Sequence, residues 1–307
     1  AAPVELPSTW CTLWQRVKKA GLTDPLPMAN KISTLLPVAA ALLAAGLLAV
    51  SCSTTSTRES TAASLDTVLA GGHRSEENRA RDRYRHPKET LLFFGIRPEM
   101  RVLEVWPEPG WYTEIIAPLV RERGHYYAAV IAADPGSKYV TERLSSYRSK
   151  LAEHPELYDR VEVVTFPADG GDVVPAGSVD LVVTFRNIHN WMARDAATRA
   201  FATMYRALKP GGVLGVVEHR GNQAMPQDPQ AKSGYVNEDY AIRLIEGQGF
   251  RLVGESQVNA NPRDSRDYEQ GVWTLPPSYR LGDKDRDKYA AIGESDRFTL
   301  KFIKPKK

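Results

Sequence analysis

Residues 180–221, DLVVTFRNIHNWMARDAATRAFATMYRALKPGGVLGVVEHRG, constrain the fold more than any other stretch of the chain. Leu181 to Phe185 is a short, apolar, β-prone run of the kind that a buried strand requires. From Arg194 to Leu208 the apolar residues Ala197, Phe201, Met204, Tyr205 and Leu208 fall at helical spacing. Lys209-Pro210-Gly211-Gly212 should then stop the helix and reverse the chain, because proline cannot extend a helix and glycine accepts left-handed backbone. Val213 to Val217 resumes as a buried strand. Strand, crossover helix and strand make one βαβ unit of a parallel sheet. Arg186, Asn187, His189, Glu218 and His219 follow the carboxyl ends of those strands, where open α/β sheets bind ligands.

Upstream, Arg101 to Trp106 reads as the first core strand, and Trp111 to Arg123 as an amphipathic helix. The turn Pro107-Glu108-Pro109-Gly110 joins them in a strand–loop–helix cradle suited to a nucleotide-like ligand. Tyr126 to Ala133 and Val161 to Phe166 supply two further strands, followed by Asp134 and Asp169. Each Asp also reads as a turn residue, in Asp-Pro-Gly and Asp-Gly-Gly. Asn237 to Gln248 is expected as a helix, Phe250 to Val258 as a sixth strand, and Phe298 to Ile303 as a last, antiparallel strand. The connection 259–296 exceeds an ordinary hairpin loop and reads either as a lid or acceptor-binding insertion or as a structured surface loop.

The helix ending in L-K-P-G-G before a strand resembles the second half of the class I S-adenosylmethionine-dependent methyltransferase fold. The resemblance implies a Rossmann-like α/β domain, a mostly parallel seven-stranded sheet with an antiparallel last strand. It also implies S-adenosylmethionine as cofactor and methyl transfer to a small-molecule or envelope acceptor. That fold carries an acidic residue followed by G-x-G-x-G. Glu104 matches the acid and Gly110 the last glycine, whereas Trp106 and Glu108 stand at the first two glycine positions. More widely, residues 74–305 resemble a bacterial family of often exported methyltransferase-like proteins whose loop commonly reads W-P-G-x-G-W-Y-[ST]. Trp106, Pro107, Gly110, Trp111 and Tyr112 match that loop.

On this resemblance the cofactor set is Glu104, Trp106, Gly110, Asp134 at the ribose, Asp169 near the adenine, and Asn187. His189 is the first choice for a base or acceptor-orienting residue, with His219 and Glu218 second. Each histidine has an alternative reading as a hydrogen-bonded structural residue. No H-E-x-x-H or cysteine pair supports a metal site, and no G-x-S-x-G or P-loop sequence supports hydrolase or nucleotide-triphosphate chemistry.

The amino end carries a different signal. MANKISTLLPVAAALLAAGLLAVSC, from Met28 to Cys52, has a Lys31 n-region and an uncharged apolar run to Val50. It resembles a lipoprotein signal with Cys52 as the lipid attachment site, although Ala49 stands where leucine is usual. A cleaved signal without lipid, giving a secreted protein, and an uncleaved inner-membrane anchor fit the same layout. Residues 1–27 are expected to play no part in function, 53–72 to be a flexible tether, and 73–307 to be the folded domain. With 40 Lys and Arg against 37 Asp and Glu, the formal charge of +3 makes no case for nucleic acid. Cys11 and Cys52 are the only cysteines, so the domain has no disulfide framework. S-adenosylmethionine is a cytoplasmic metabolite, so export sets the cofactor against the compartment. A second function class therefore stays open: a membrane-tethered periplasmic binding protein on a catalytically inactive methyltransferase scaffold. The acceptor and the oligomeric state are not legible in the sequence.

Overall fold

The computed structural model describes residues 56–306. The signal-like segment, Cys52 and the upstream extension lie outside them. The strands are β1 (Arg101–Val105), β2 (His125–Val130), β3 (Val161–Thr165), β4 (Val179–Phe185), β5 (Leu208–His219), β6 (Arg251–Ser256) and β7 (Arg297–Ile303). They form one seven-stranded sheet in the order β3-β2-β1-β4-β5-β7-β6. β7 runs antiparallel to both of its neighbours, and the other pairings are parallel. β1 lies beside β4, with Val102 opposite Leu181 and Val105 opposite Thr184. The fold class is the one expected from the sequence.

The central strands are apolar on both faces because helices cover both. Leu103, Val105, Val182 and Leu214 face a core completed by Phe201 and Met204 of the helix Ala197–Ala207. Val102, Leu181 and Val183 face the other core, against Leu91 and Phe94 of the helix Pro87–Phe94 and Ile115 and Ile116 of the helix Thr113–Val120. Pro87 opens its helix where a missing N–H is harmless, and Gly95 closes it with φ 83°.

Two local expectations are corrected. Lys209–Gly212 does not reverse the chain outside the sheet; it bulges within β5, between the pairs Val179–Leu208 and Leu181–Val213. Gly211 supplies the left-handed residue there (φ 81°), and its N–H is satisfied by Lys304 O across to the end of β7. Most of the expected tether is structured: residues 56–69 are helical, with Thr61 and Leu65 buried. Thr61, Leu65 and Val68 share one helical stripe, and Leu65 docks on the Leu91 side of the sheet. The charged stretch before Pro87 forms two short helices, Glu76–Ala80 and Asp82–Arg85. Among the described residues no helix is long and apolar enough to cross a membrane.

Candidate active site

The carboxyl ends of β1, β4 and β5 open into a cavity of about 500 Å³. Trp106 leaves β1, Arg186 and Asn187 leave β4, and His219 ends β5; all four line the cavity with His189. The 259–296 connection closes one side through Trp273, Pro276 and Arg280. A smaller, more apolar cavity of about 280 Å³ lies beyond the ends of β2 and β3, walled by Ala132, Val140, Phe166, Ala168, Trp191 and Ala200. Trp106, Ile131 and Arg194 belong to the walls of both cavities.

The loop after β1 keeps a glycine-like backbone under larger side chains. Trp106 has φ 53°, a conformation that glycine adopts freely and tryptophan does not. Its ring lies 5.6 Å from that of Trp191 in edge contact, and the Arg194 guanidinium sits 5.4 Å above it. Glu108 turns its carboxylate back to accept the Ile131 N–H at 2.9 Å, just past β2. Gly110 has φ 95°, a backbone that glycine adopts freely, and a Cβ there would also meet Tyr147 Cε2 at 3.1 Å.

Glu104 is buried at the cavity wall and accepts the Tyr126 hydroxyl at 2.6 Å, not a loop N–H. Tyr126 continues to Thr113 Oγ1 at 2.9 Å, and Thr113 to Tyr147 at 3.1 Å. Burial, opposed by the Tyr126 bond and reinforced by Glu108, pushes the Glu104 carboxyl up to about 8. It is therefore mostly uncharged at neutral pH. Asn187 Nδ2 bridges Val105 O at 2.9 Å and Thr184 Oγ1 at 3.1 Å, tying the ends of β1 and β4 together. Asp134 borders the smaller cavity and closes its own turn onto Gly136 N at 3.0 Å. Asp169 does the same with Gly171 N at 2.9 Å and lines neither cavity.

His189 sits just after β4, and its Nδ1 lies 3.1 Å from Glu218 Oε1. Glu218, fully buried, also accepts the backbone N–H groups of Ile188 (2.6 Å), His189 (3.3 Å) and His219 (2.8 Å). A carboxylate with so many donors acts as an acceptor, so His189 Nδ1 carries the proton and Nε2 is left as the basic nitrogen. His219 bonds Ser295 Oγ through Nδ1 at 2.6 Å, and its ring lies 5.4 Å from that of His189. Burial, with His189 and Arg297 nearby, holds His219 well below the ordinary imidazole range. His189, Glu218 and His219 bring ligand atoms within 4.8 Å of one another. Both Glu218 oxygens are already committed to N–H donors, and the guanidiniums that disfavour a proton on His219 disfavour a cation there too. The set reads as orientation of His189 rather than metal ligation.

Arg186, expected at the end of its strand, is joined in the site by Arg85 and Arg297, which the spacing of motifs did not bring there. Arg85, Arg186 and Arg297 line the larger cavity from three separate parts of the chain. A lone Arg297 opening the apolar run of β7, and Arg85 just before His86-Pro87, were the available signals.

Residues 109–216 match the family described as "Methyltransferase domain". No curated protein matches the chain. Among solved structures, a S-adenosylmethionine-dependent methyltransferase from Aquifex aeolicus is 17% identical, with a TM-score of 0.50, and the match covers 73% of this chain and 93% of that one. The [4+2]-cyclase SpnF is also 17% identical, with a TM-score of 0.54, and the match covers 78% of this chain and 86% of that one. These likenesses show the fold. Together with the match over residues 109–216, they support a class I methyltransferase fold with S-adenosylmethionine as its cofactor.

The smaller cavity suits the adenosyl part of that cofactor. Its walls are mostly apolar, and the indole N–H groups of Trp106 and Trp191, both wall residues, are buried without an acceptor. Buried donors without partners are rare in folded proteins and fit a ligand that brings ring nitrogens or hydroxyl oxygens.

Proposed function

We propose that the domain methylates an acceptor, a small molecule or an envelope component, held in the larger cavity, with His189 as the base. The observation that carries this reading is the Glu218–His189 pair at the end of β4, with His189 on the wall of a cavity that shares Trp106 with the adenosyl-sized one. S-adenosylmethionine, when bound, supplies an electrophilic methyl group on a positively charged sulfur. Trp106, Trp191 and Ile131 would hold its adenosyl part, and Asn187 and Glu104 border the larger cavity where the reacting groups meet. Because Glu104 is mostly uncharged at neutral pH, it does not repel the carboxylate of a methionine-like group.

His189 Nε2 accepts the proton that the acceptor loses, and Glu218 stabilises the resulting imidazolium. The buried Glu218 keeps the ring in one tautomer and one orientation, as a positioning residue does. Trp273, 6.0 Å from the His189 ring, helps to screen the base from water. The SpnF match is a reminder that this fold also carries a protein named as a cyclase, so the reading rests on the site and not on the fold. Calorimetry of the domain with S-adenosylmethionine and S-adenosylhomocysteine tests it. Saturable binding of both is expected, and no binding of either overturns the reading.

We also infer export with a lipid anchor at Cys52, on the Met28–Cys52 pattern alone. An exported enzyme of this kind needs a supply of cofactor outside the cytoplasm. An uncleaved segment would instead leave the domain on the cytoplasmic side.

A further inference from the structure

Charge in the larger cavity is unbalanced. Glu294, almost fully buried, receives Arg81 Nε at 2.6 Å, Arg85 Nε at 3.2 Å and the Arg297 guanidinium. One carboxylate thus serves three guanidiniums, and Arg186 stands beside them with no hydrogen bond or ion pair to its guanidinium among the described residues. Arg186 is partly exposed to the cavity, whereas Arg85 Nη1 and Arg297 Nε are buried without acceptors, each residue being only 3% exposed. The nearby acids do not restore balance. Glu104 is mostly uncharged at neutral pH, and Asp296 is engaged by Arg220 and Arg266. Burial, with Arg297 close by, lowers Arg186 to about 10, so it remains protonated at neutral pH. Its backbone is left-handed as well, with φ 62°.

Buried guanidinium donors without acceptors are costly, and backbone strain concentrates where function over-determines it. Arginine's planar donor fork matches the geometry of carboxylate and phosphate oxygens. We propose that Arg85, Arg186 and Arg297 form an oxyanion subsite that selects an acceptor bearing a carboxylate or phosphate group. The word acceptor rests on the methyl-transfer reading; the anion site itself does not. Arg85 stacks on Trp111 at 4.6 Å, and beneath it Tyr112 stacks on Phe185 at 3.5 Å, which gives the subsite a rigid aromatic floor.

The test is calorimetry with inorganic phosphate, and separately with acetate, in a chloride buffer. Phosphate or acetate should bind saturably, and the tighter of the two names the oxyanion class. Arg186→Met should weaken that binding by about tenfold or more while leaving the thermal midpoint of the ligand-free protein unchanged or raised, since Arg186 makes no ion pair to lose. Glu294→Gln should bind phosphate at least as tightly as wild type, because it removes a competing negative charge. Absence of saturable binding to wild type, or an Arg186→Met variant that binds as wild type does, overturns the proposal. Titrating S-adenosylhomocysteine into the phosphate-saturated protein separates the two readings. If both bind together, the subsite belongs to the acceptor. If the cofactor product displaces phosphate, the arginines hold the cofactor's own carboxylate and the proposal fails, with methyl transfer intact. If phosphate binds but S-adenosylhomocysteine never does, the anion site stands and the methyl-transfer reading falls.

Discussion

His189 is held by Glu218 at both ends of one residue: the carboxylate takes its backbone N–H at 3.3 Å and its ring Nδ1 at 3.1 Å. The ring cannot turn without breaking a buried hydrogen bond, so Nε2 has one permitted direction. His189→Ala should leave affinity for S-adenosylhomocysteine nearly unchanged and lower turnover by about 10²-fold or more. Glu218→Gln keeps the shape but leaves backbone donors facing an amide. It should lower both turnover and the unfolding midpoint, by about 1–3 kcal/mol in stability. Calorimetry, product assay and thermal denaturation check these outcomes together; a His189→Ala enzyme with wild-type turnover removes the base from the reading.

Trp106 in the left-handed region predicts an inversion of the usual order of small residues. Truncation loses the edge contact with Trp191 in either variant, so both Trp106→Gly and Trp106→Ala destabilise. Glycine relieves the backbone and alanine does not, so Trp106→Gly should be the more stable of the two by about 1 kcal/mol. Denaturant unfolding of the pair decides it, and an alanine variant as stable as the glycine one refutes the strain.

The strands were legible because each central strand is predominantly apolar and β-prone, as a parallel sheet covered on both faces demands. The end of β4, with Asn187 and His189, followed directly from where such sheets place their ligands. Helix 56–69 was missed because its Ser, Thr and Ala content matches a linker, while the stripe Thr61, Leu65, Val68 that docks it is short. The arginine subsite was not legible because Arg85, Arg186, Glu294 and Arg297 meet only through the packing of distant segments, and no spacing in the sequence encodes that. Glu104 was expected to serve the loop or the cofactor. Its partner, Tyr126, comes from the neighbouring strand, and a tyrosine in a strand reads as core whether or not its hydroxyl has work to do.

The lipid anchor makes a chemical prediction independent of the fold. Expressed from Met28 in a bacterium, the protein should incorporate labelled fatty acid, and Cys52→Ala should abolish the label. Equal labelling of both proteins overturns the assignment, and an unlabelled but shortened wild-type protein points to a cleaved signal without lipid.

Glu104 sets the alkaline side of stability. Its carboxyl is lifted from the ordinary 4.5 to about 8 by burial, so between those values the folded protein holds a proton that the unfolded chain has released. Stability from this group is therefore complete below about pH 4.5 and declines as pH rises toward 8, by an amount on the order of a few kcal/mol. His219 acts in the opposite sense. Its imidazole is held well below the ordinary 6.5, so the unfolded chain gains a proton there first, and stability is lost as pH falls below that value. Glu104→Gln keeps an acceptor for the Tyr126 hydroxyl and removes the titration. The variant should show a flatter fall in unfolding midpoint between about pH 4.5 and 8, the alkaline limb, and a steeper rise below pH 6.5, where the Glu104 and His219 effects oppose each other in wild type. Some alkaline slope should survive, because burial also raises Glu108, but less than in wild type since the two carboxyls no longer repel. An alkaline limb as steep in Glu104→Gln as in wild type would show that Glu104 is already ionised in the folded protein at neutral pH.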